Sequence, residues 1–116
     1  YRSDRVQKPF SKLKSISIKK NMGWCDDPNS KFYNKLIKIK KNLKISYEKL
    51  YRKDHKYDFF ILIKYNYKNP IKLKGSAIFL HLTKNYLPTK GCIALCKKDF
   101  LILTKLINKK TKIKIN

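Results

Sequence analysis

His81 and Cys92 flank one short loop, Leu82 to Gly91, whose last residues form a Thr89-Lys90-Gly91-Cys92 turn. A thiol on a tight turn, a base able to fold back onto it and nearby backbone N–H groups are the parts of a covalent acyl-transfer site. In that chemistry Cys92 is the nucleophile, His81 takes and returns a proton, and the N–H groups of Gly91 and Cys92 are candidate oxyanion donors. A free thiol titrates near about 8.5 and is mostly protonated at neutral pH, so it needs help. His81 can hydrogen-bond the sulfur, Lys90 adds positive potential, and a helical pattern after Leu95 brings a helix N-terminus close. Glycine occurs three times in the chain; Gly91 precedes Cys92 and Gly75 opens the run into His81, which points to backbone geometry that side chains resist. A lone Cys or His is usually just packed, but their closeness around a Gly-Cys turn favours chemistry.

These residues need elements to position them. Ser76-Ala-Ile-Phe-Leu-His81 reads as a central strand ending on the histidine. Asp58-Phe-Phe-Ile-Leu-Ile-Lys-Tyr65 is the strongest strand signal, and its continuous apolar run predicts a central strand buried on both faces. Alternation at Leu13, Ile16 and Ile18 predicts a short strand, and Leu36 to Lys40 another. Gly23 to Asn29 is dense in turn residues and reads as an ordered loop anchored by a buried Trp24 indole. Ser46 to Arg52 suits a short helix capped by Ser46. After Cys92, Cys96 takes a cap position with Asp99 three residues on, and Phe100, Leu101, Leu103, Thr104, Leu106 and Ile107 carry a helical face to Asn108. Lys112 to Ile115 alternates like an edge strand. There is no repeat and no linker, so residues 1–116 read as a single domain.

At 116 residues and 42% hydrophobic the chain has a folding composition with room for a core. No run reaches membrane-span length, and no export signal stands in these residues, whose first is Tyr1. Thirty basic residues against seven acidic ones give a net charge of +23, which suits a polyanion binder. All but Arg2, Arg5 and Arg52 of the basic residues are lysines, spread along the whole chain, and compositional drift toward Lys, Ile and Asn explains them more simply than a nucleic-acid face does. Cys25, Cys92 and Cys96 are an odd count, so at least one thiol is free. Cys92, Cys96, His81 and His55 fit no compact zinc spacing, and the chemistry calls for neither metal nor cofactor. Cys25 reads as structural, Cys96 as a small cap, and His55 as solvated.

At the His81 and Cys92 motifs the chain resembles the L,D-transpeptidase catalytic domain family (YkuD-like), bacterial enzymes of cell-wall metabolism. His81 matches the family's strand-end histidine, Thr89 its Ser/Thr, Gly91-Cys92 its Gly-Cys and Ile93 its following apolar residue. A bacterial branch is closer still: Gly23 to Pro28, Tyr33-Asn34, Gly75 to His81 and Pro88 to Cys92 follow its motifs in order. Lys90 stands where the motif has a second histidine, and Ala94 where many members have Arg or Asn. The family's usual N-terminal hairpin has no counterpart, which reads as an incomplete chain. The resemblance implies an α+β fold, mainly β: an L,D-transpeptidase-like β-sandwich with a helix after the catalytic cysteine. It implies a peptidoglycan transpeptidase acting on tetrapeptide stems through a Cys92 thioester with His81 as base, at the cell envelope or periplasm. Trimming by an L,D-carboxypeptidase or amidase reaction uses the same site. Arg52, Asp54, Tyr57 and Asp58, just before the strand expected beside that of His81, are candidates to read the stem's carboxylates and amine, with Thr89 and Lys90 in the loop. Bracing the loop is their alternative role. A non-catalytic Lys-rich binding module is the competing class; its polyanion affinity would fall steeply with salt and survive Cys92→Ala.

Overall fold

The aromatic and aliphatic residues at the centre of the chain form two small sheets, facing one another across a shared apolar layer. The computed structural model describes residues 1–116. Strands β1 (Met22–Cys25), β2 (Leu36–Lys38) and β3 (Tyr47–Lys49) make an antiparallel sheet in the order β2-β1-β3. Strands β4 (Phe60–Leu62), β5 (Phe79–Leu82) and β6 (Ile93–Leu95) make the second, in the order β4-β5-β6, with β4 antiparallel and β6 parallel to β5. Helix α1 (Lys97–Leu106) closes the series. The architecture is α+β, mostly strand, with the helix last.

Period-2 alternation along β5 divides the interior into two layers. Phe79 faces the first sheet, where Trp24, Tyr57, Leu50, Ile18 and Ala77 complete a cluster. Leu80 and Leu82 face the other way and pack with Phe59 and Phe100, so α1 covers the outer side of the second sheet. Trp24 meets Phe79 edge-on at 5.3 Å, and Tyr57 meets it at 5.6 Å, which ties the two sheets together.

Several sequence expectations change here. The Gly23 to Asn29 segment is not all loop: Met22–Cys25 is the middle strand of its sheet, although the Trp24 indole is buried as expected. The helix over Ser46 to Arg52 is instead β3, because Tyr47, Glu48 and Lys49 pair with Cys25, Trp24 and Gly23. Strand pairing outweighs local helix preference, and the Ser46 hydroxyl reaches the Asp26 carboxylate at 2.6 Å instead of capping a helix. Strand β4 lies at an edge, not in the centre; its apolar run arises because Phe60 and Leu62 face one layer and Ile61 and Ile63 the other. Leu13 to Ile18 and Lys112 to Ile115 form no ladder; the Ile18 N–H instead donates to the Tyr1 carbonyl at 2.8 Å, which ties the segment to the N-terminus, and the C-terminal stretch is exposed. Finally, β6 intervenes between Cys92 and α1, and β5 runs one residue beyond His81.

Candidate functional site

Register in the second sheet decides the geometry. β5 and β6 pair Leu80 with Ile93 and His81 with Ala94, which sets Cys92, just before β6, opposite Phe79. Phe79, His81 and Cys92 therefore share the sheet face that looks toward the first sheet. His81 and Cys92 are diagonal neighbours on that face, a placement that separates Cβ atoms by roughly 7 Å. The register thus sets the imidazole and the thiol on one sheet face, with Tyr57 edge-on to the His81 ring at 5.7 Å.

The two groups are held by backbone. The Cys92 sulfur accepts from the Phe79 N–H at 3.4 Å and donates to the Ala77 carbonyl at 3.3 Å. The His81 Nδ1 lies 2.8 Å from the Leu82 carbonyl. A carbonyl oxygen only accepts, so Nδ1 carries a proton and the neutral ring keeps its lone pair on Nε2. No hydrogen bond joins the ring to the sulfur directly. Burial pushes the Cys92 thiol above its ordinary value, the Phe79 N–H opposes that rise, and the Glu48 charge adds to it. The resting sulfur is a neutral thiol.

The expected help from a helix N-terminus is not available. The three residues of β6 separate Cys92 from the cap residue Cys96, about 13 Å at strand rise, and α1 begins at Lys97. Cys96 occupies the cap position, and its carbonyl accepts from the Phe100 N–H at 2.9 Å, but its side chain makes no bond to the helix backbone; the thiol reaches Asp99 Oδ2, 3.1 Å away. Cys92 and Cys96 thus stand at opposite ends of β6, and no three His, Cys, Asp or Glu side chains gather as a metal site would require. Cys25 is fully buried under the first sheet.

The loop before Cys92 is exposed and tethered at two points. The Thr89 hydroxyl donates to the Cys92 carbonyl, and the Tyr86 hydroxyl accepts from the Cys96 N–H at 3.0 Å. Lys90 is exposed. Gly91 and Gly75 both adopt φ +108°, so the conformations expected of these glycines are present. The N–H groups of Gly91 and Cys92 have no acceptor within the protein.

The charged side chains of the segment before β4 are paired with one another and with the N-terminus. Asp58 is buried between Arg5 at 2.9 Å and His55 at 2.6 Å, so His55 has a partner despite its exposure. Asp54 holds the fork of Arg52 at 2.9 and 2.5 Å, and that guanidinium keeps its carboxyl down at about 2. Arg2 braces the same segment from the N-terminal side; it forks onto Asp4, donates to the Arg52 carbonyl at 2.6 Å and stacks on Tyr51 at 3.5 Å. Of the four residues offered as substrate readers, only Tyr57 lies against His81; Arg52 stands over its ring at 5.2 Å.

Two residues without an assigned role from sequence matter here. Asn34 is buried, accepts from the Trp24 indole N–H at 2.8 Å and the Ala77 N–H at 3.1 Å, and donates to the carbonyls of Tyr65 and Asn66. It fixes the residue whose carbonyl receives the thiol proton. Burial raises the pKa of both the Tyr57 phenol and the Cys92 thiol, and Glu48, which accepts from the Tyr57 hydroxyl, adds to both rises. Asn34 was visible as part of a motif, and Glu48 had a signal too: it is the only glutamate in the chain.

The family model of the L,D-transpeptidase catalytic domain (YkuD) matches residues 7–115. No curated protein and no solved structure matches the chain.

Proposed function

The chain belongs to the YkuD family of L,D-transpeptidase catalytic domains, and from that membership we propose that it is an active cysteine acyltransferase on peptidoglycan stem peptides, with Cys92 as nucleophile and His81 as base. The family's activity is cysteine-dependent transpeptidation of peptidoglycan. The observation that carries the reading for this chain is the shared sheet face of His81 and Cys92, enforced by the β5–β6 register. The wall substrate puts its place of action in the cell envelope. No helix of the chain is long and apolar enough to cross a membrane.

The reaction follows from the groups in hand. Rotation about the Cys92 Cα–Cβ bond takes the thiol proton from the Ala77 carbonyl toward His81 Nε2, which accepts it as the sulfur attacks the stem carbonyl. The unpaired N–H groups of Gly91 and Cys92 receive the oxyanion. The C–N bond to the terminal D-Ala breaks, His81 returns the proton to the departing amine, and a thioester remains. An acceptor amine from a second stem then attacks the thioester, loses a proton to His81 and releases the sulfur, which is reprotonated. The Leu82 carbonyl holds the imidazole in the tautomer that this sequence needs.

Intact-mass measurement after carbapenem treatment tests the reading, since such a reagent acylates this kind of cysteine. One adduct on the wild-type chain and none on Cys92→Ser is expected. Correctly folded wild-type protein that gains no mass refutes it.

A further inference from the structure

Glu48 stands out from the charge pattern of the molecule. The chain carries 30 Lys and Arg against seven acidic residues, and Asp4, Asp54 and Asp58 each hold an arginine. Glu48, the sole glutamate, forms no ion pair although it is half-buried. Arg52 feels its charge, yet the Arg52 fork is taken by Asp54. One carboxylate oxygen accepts from the Tyr57 hydroxyl; the other has no partner in the protein. A half-buried anion left without a cation in so basic a chain is an incomplete electrostatic arrangement.

Its position relates it to the thiol. Glu48 pairs with Trp24 across β3 and β1, so the two side chains share the face of the first sheet that meets the second. Trp24 touches Phe79 there, and Tyr57 spans from Glu48 to the His81 ring. Cys92 packs against the same cluster. We infer that Glu48 is a specificity residue whose free carboxylate oxygen binds a primary ammonium on the donor stem, carried by the side chain of the residue whose carbonyl Cys92 attacks. The inference rests on the reading of Cys92 as nucleophile. It moves amine recognition from Asp54 and Asp58, both committed to arginine, to the one acidic group on the site face with an open oxygen. Tyr57 then serves as a positioning residue that aims the carboxylate.

Binding can be measured without turnover in a Cys92→Ala background, using a tetrapeptide stem with its side-chain amine free or acetylated. Calorimetry is expected to show at least about tenfold tighter binding of the free-amine peptide. That preference should shrink as KCl is raised, because the ratio isolates one charge contact from the general attraction of a basic protein. Adding Glu48→Gln, which keeps an acceptor for Tyr57, should bring both peptides to the affinity of the acetylated one. Equal affinities in Cys92→Ala alone, a preference indifferent to salt, or one that survives Glu48→Gln in folded protein overturns the proposal. A carbapenem adduct without amine preference refutes only the Glu48 assignment; amine preference without an adduct refutes only the nucleophile.

Discussion

Asn34 lies at the junction between the fold and the thiol, and truncating it has a cost that can be worked out from its bonds. Asn34→Ala removes the acceptor of two buried donors, the Trp24 indole N–H and the Ala77 N–H. Each unsatisfied buried donor costs about 1–3 kcal/mol. The carbonyls of Tyr65 and Asn66 lose a donor at part-buried positions, where water replaces some of the loss; about 0–1 kcal/mol each is appropriate. Asn34 also sits at φ 56°, a conformation Asn tolerates better than Ala. The total is about 5 kcal/mol before any backbone strain, a large share of the roughly 5–15 kcal/mol that stabilises a domain. Urea denaturation followed by Trp24 fluorescence measures it, since the indole is the partner being orphaned and the chain has one tryptophan. Because Ala77 holds the thiol proton, the folded fraction of Asn34→Ala should also alkylate faster at Cys92 than wild type. A loss below about 1 kcal/mol would show that water or repacking satisfies both donors, and the account of Asn34 as the anchor of the Ala77 carbonyl would fall.

Other expectations are simpler. Gly91→Ala places a side chain at φ +108°, where Ile78 Cδ1 at 3.5 Å is an ordinary contact and the strain lies in the backbone; a stability loss of about 1–2 kcal/mol and a larger, at least tenfold, loss of carbapenem acylation are expected, checked by thermal melting and mass spectrometry. In a Cys96→Ser background, with Cys25 buried, iodoacetamide should modify Cys92 with a pH midpoint above that of an ordinary exposed thiol. Adding Glu48→Gln should lower that midpoint, and an unchanged midpoint would separate Glu48 from the thiol's field. Asp54 titrates at about 2 instead of 3.8 because Arg52 holds it. A depressed carboxyl contributes its stability in full above the unfolded value and loses it as pH falls from about 4 through about 2, so Asp54→Asn should flatten the acid limb of a stability–pH curve slightly, the pair being partly exposed.

The chemistry-bearing loop was the most legible part of the sequence because its signals are local: two glycines that do adopt φ +108°, a thiol and an imidazole at fixed offsets. The β5 strand and α1 were readable for the same reason. What escaped the sequence depended on partners distant along the chain. Ser46 to Arg52 has a helix-like pattern, and only pairing with Trp24, more than twenty residues earlier, makes it β3. The strand β6 is three residues long and could not be separated from the helical run behind it, so the helix was placed too near the thiol. Arg2 and Arg5 drew no attention as site residues, yet both clamp the segment carrying Arg52 and Tyr57. Their rarity was a usable signal: in a lysine-rich chain, Arg2 and Arg52 sit where a planar fork is needed.

The contact between the Cys92 thiol and the Ala77 carbonyl has a consequence for how readily the sulfur reacts. A sulfur whose proton is parked on a main-chain oxygen, and whose ionisation is discouraged by burial, is dormant toward peroxides and stray electrophiles, which react with thiolates. A substitution that loosens this latch should expose the sulfur to oxidation and alkylation alike.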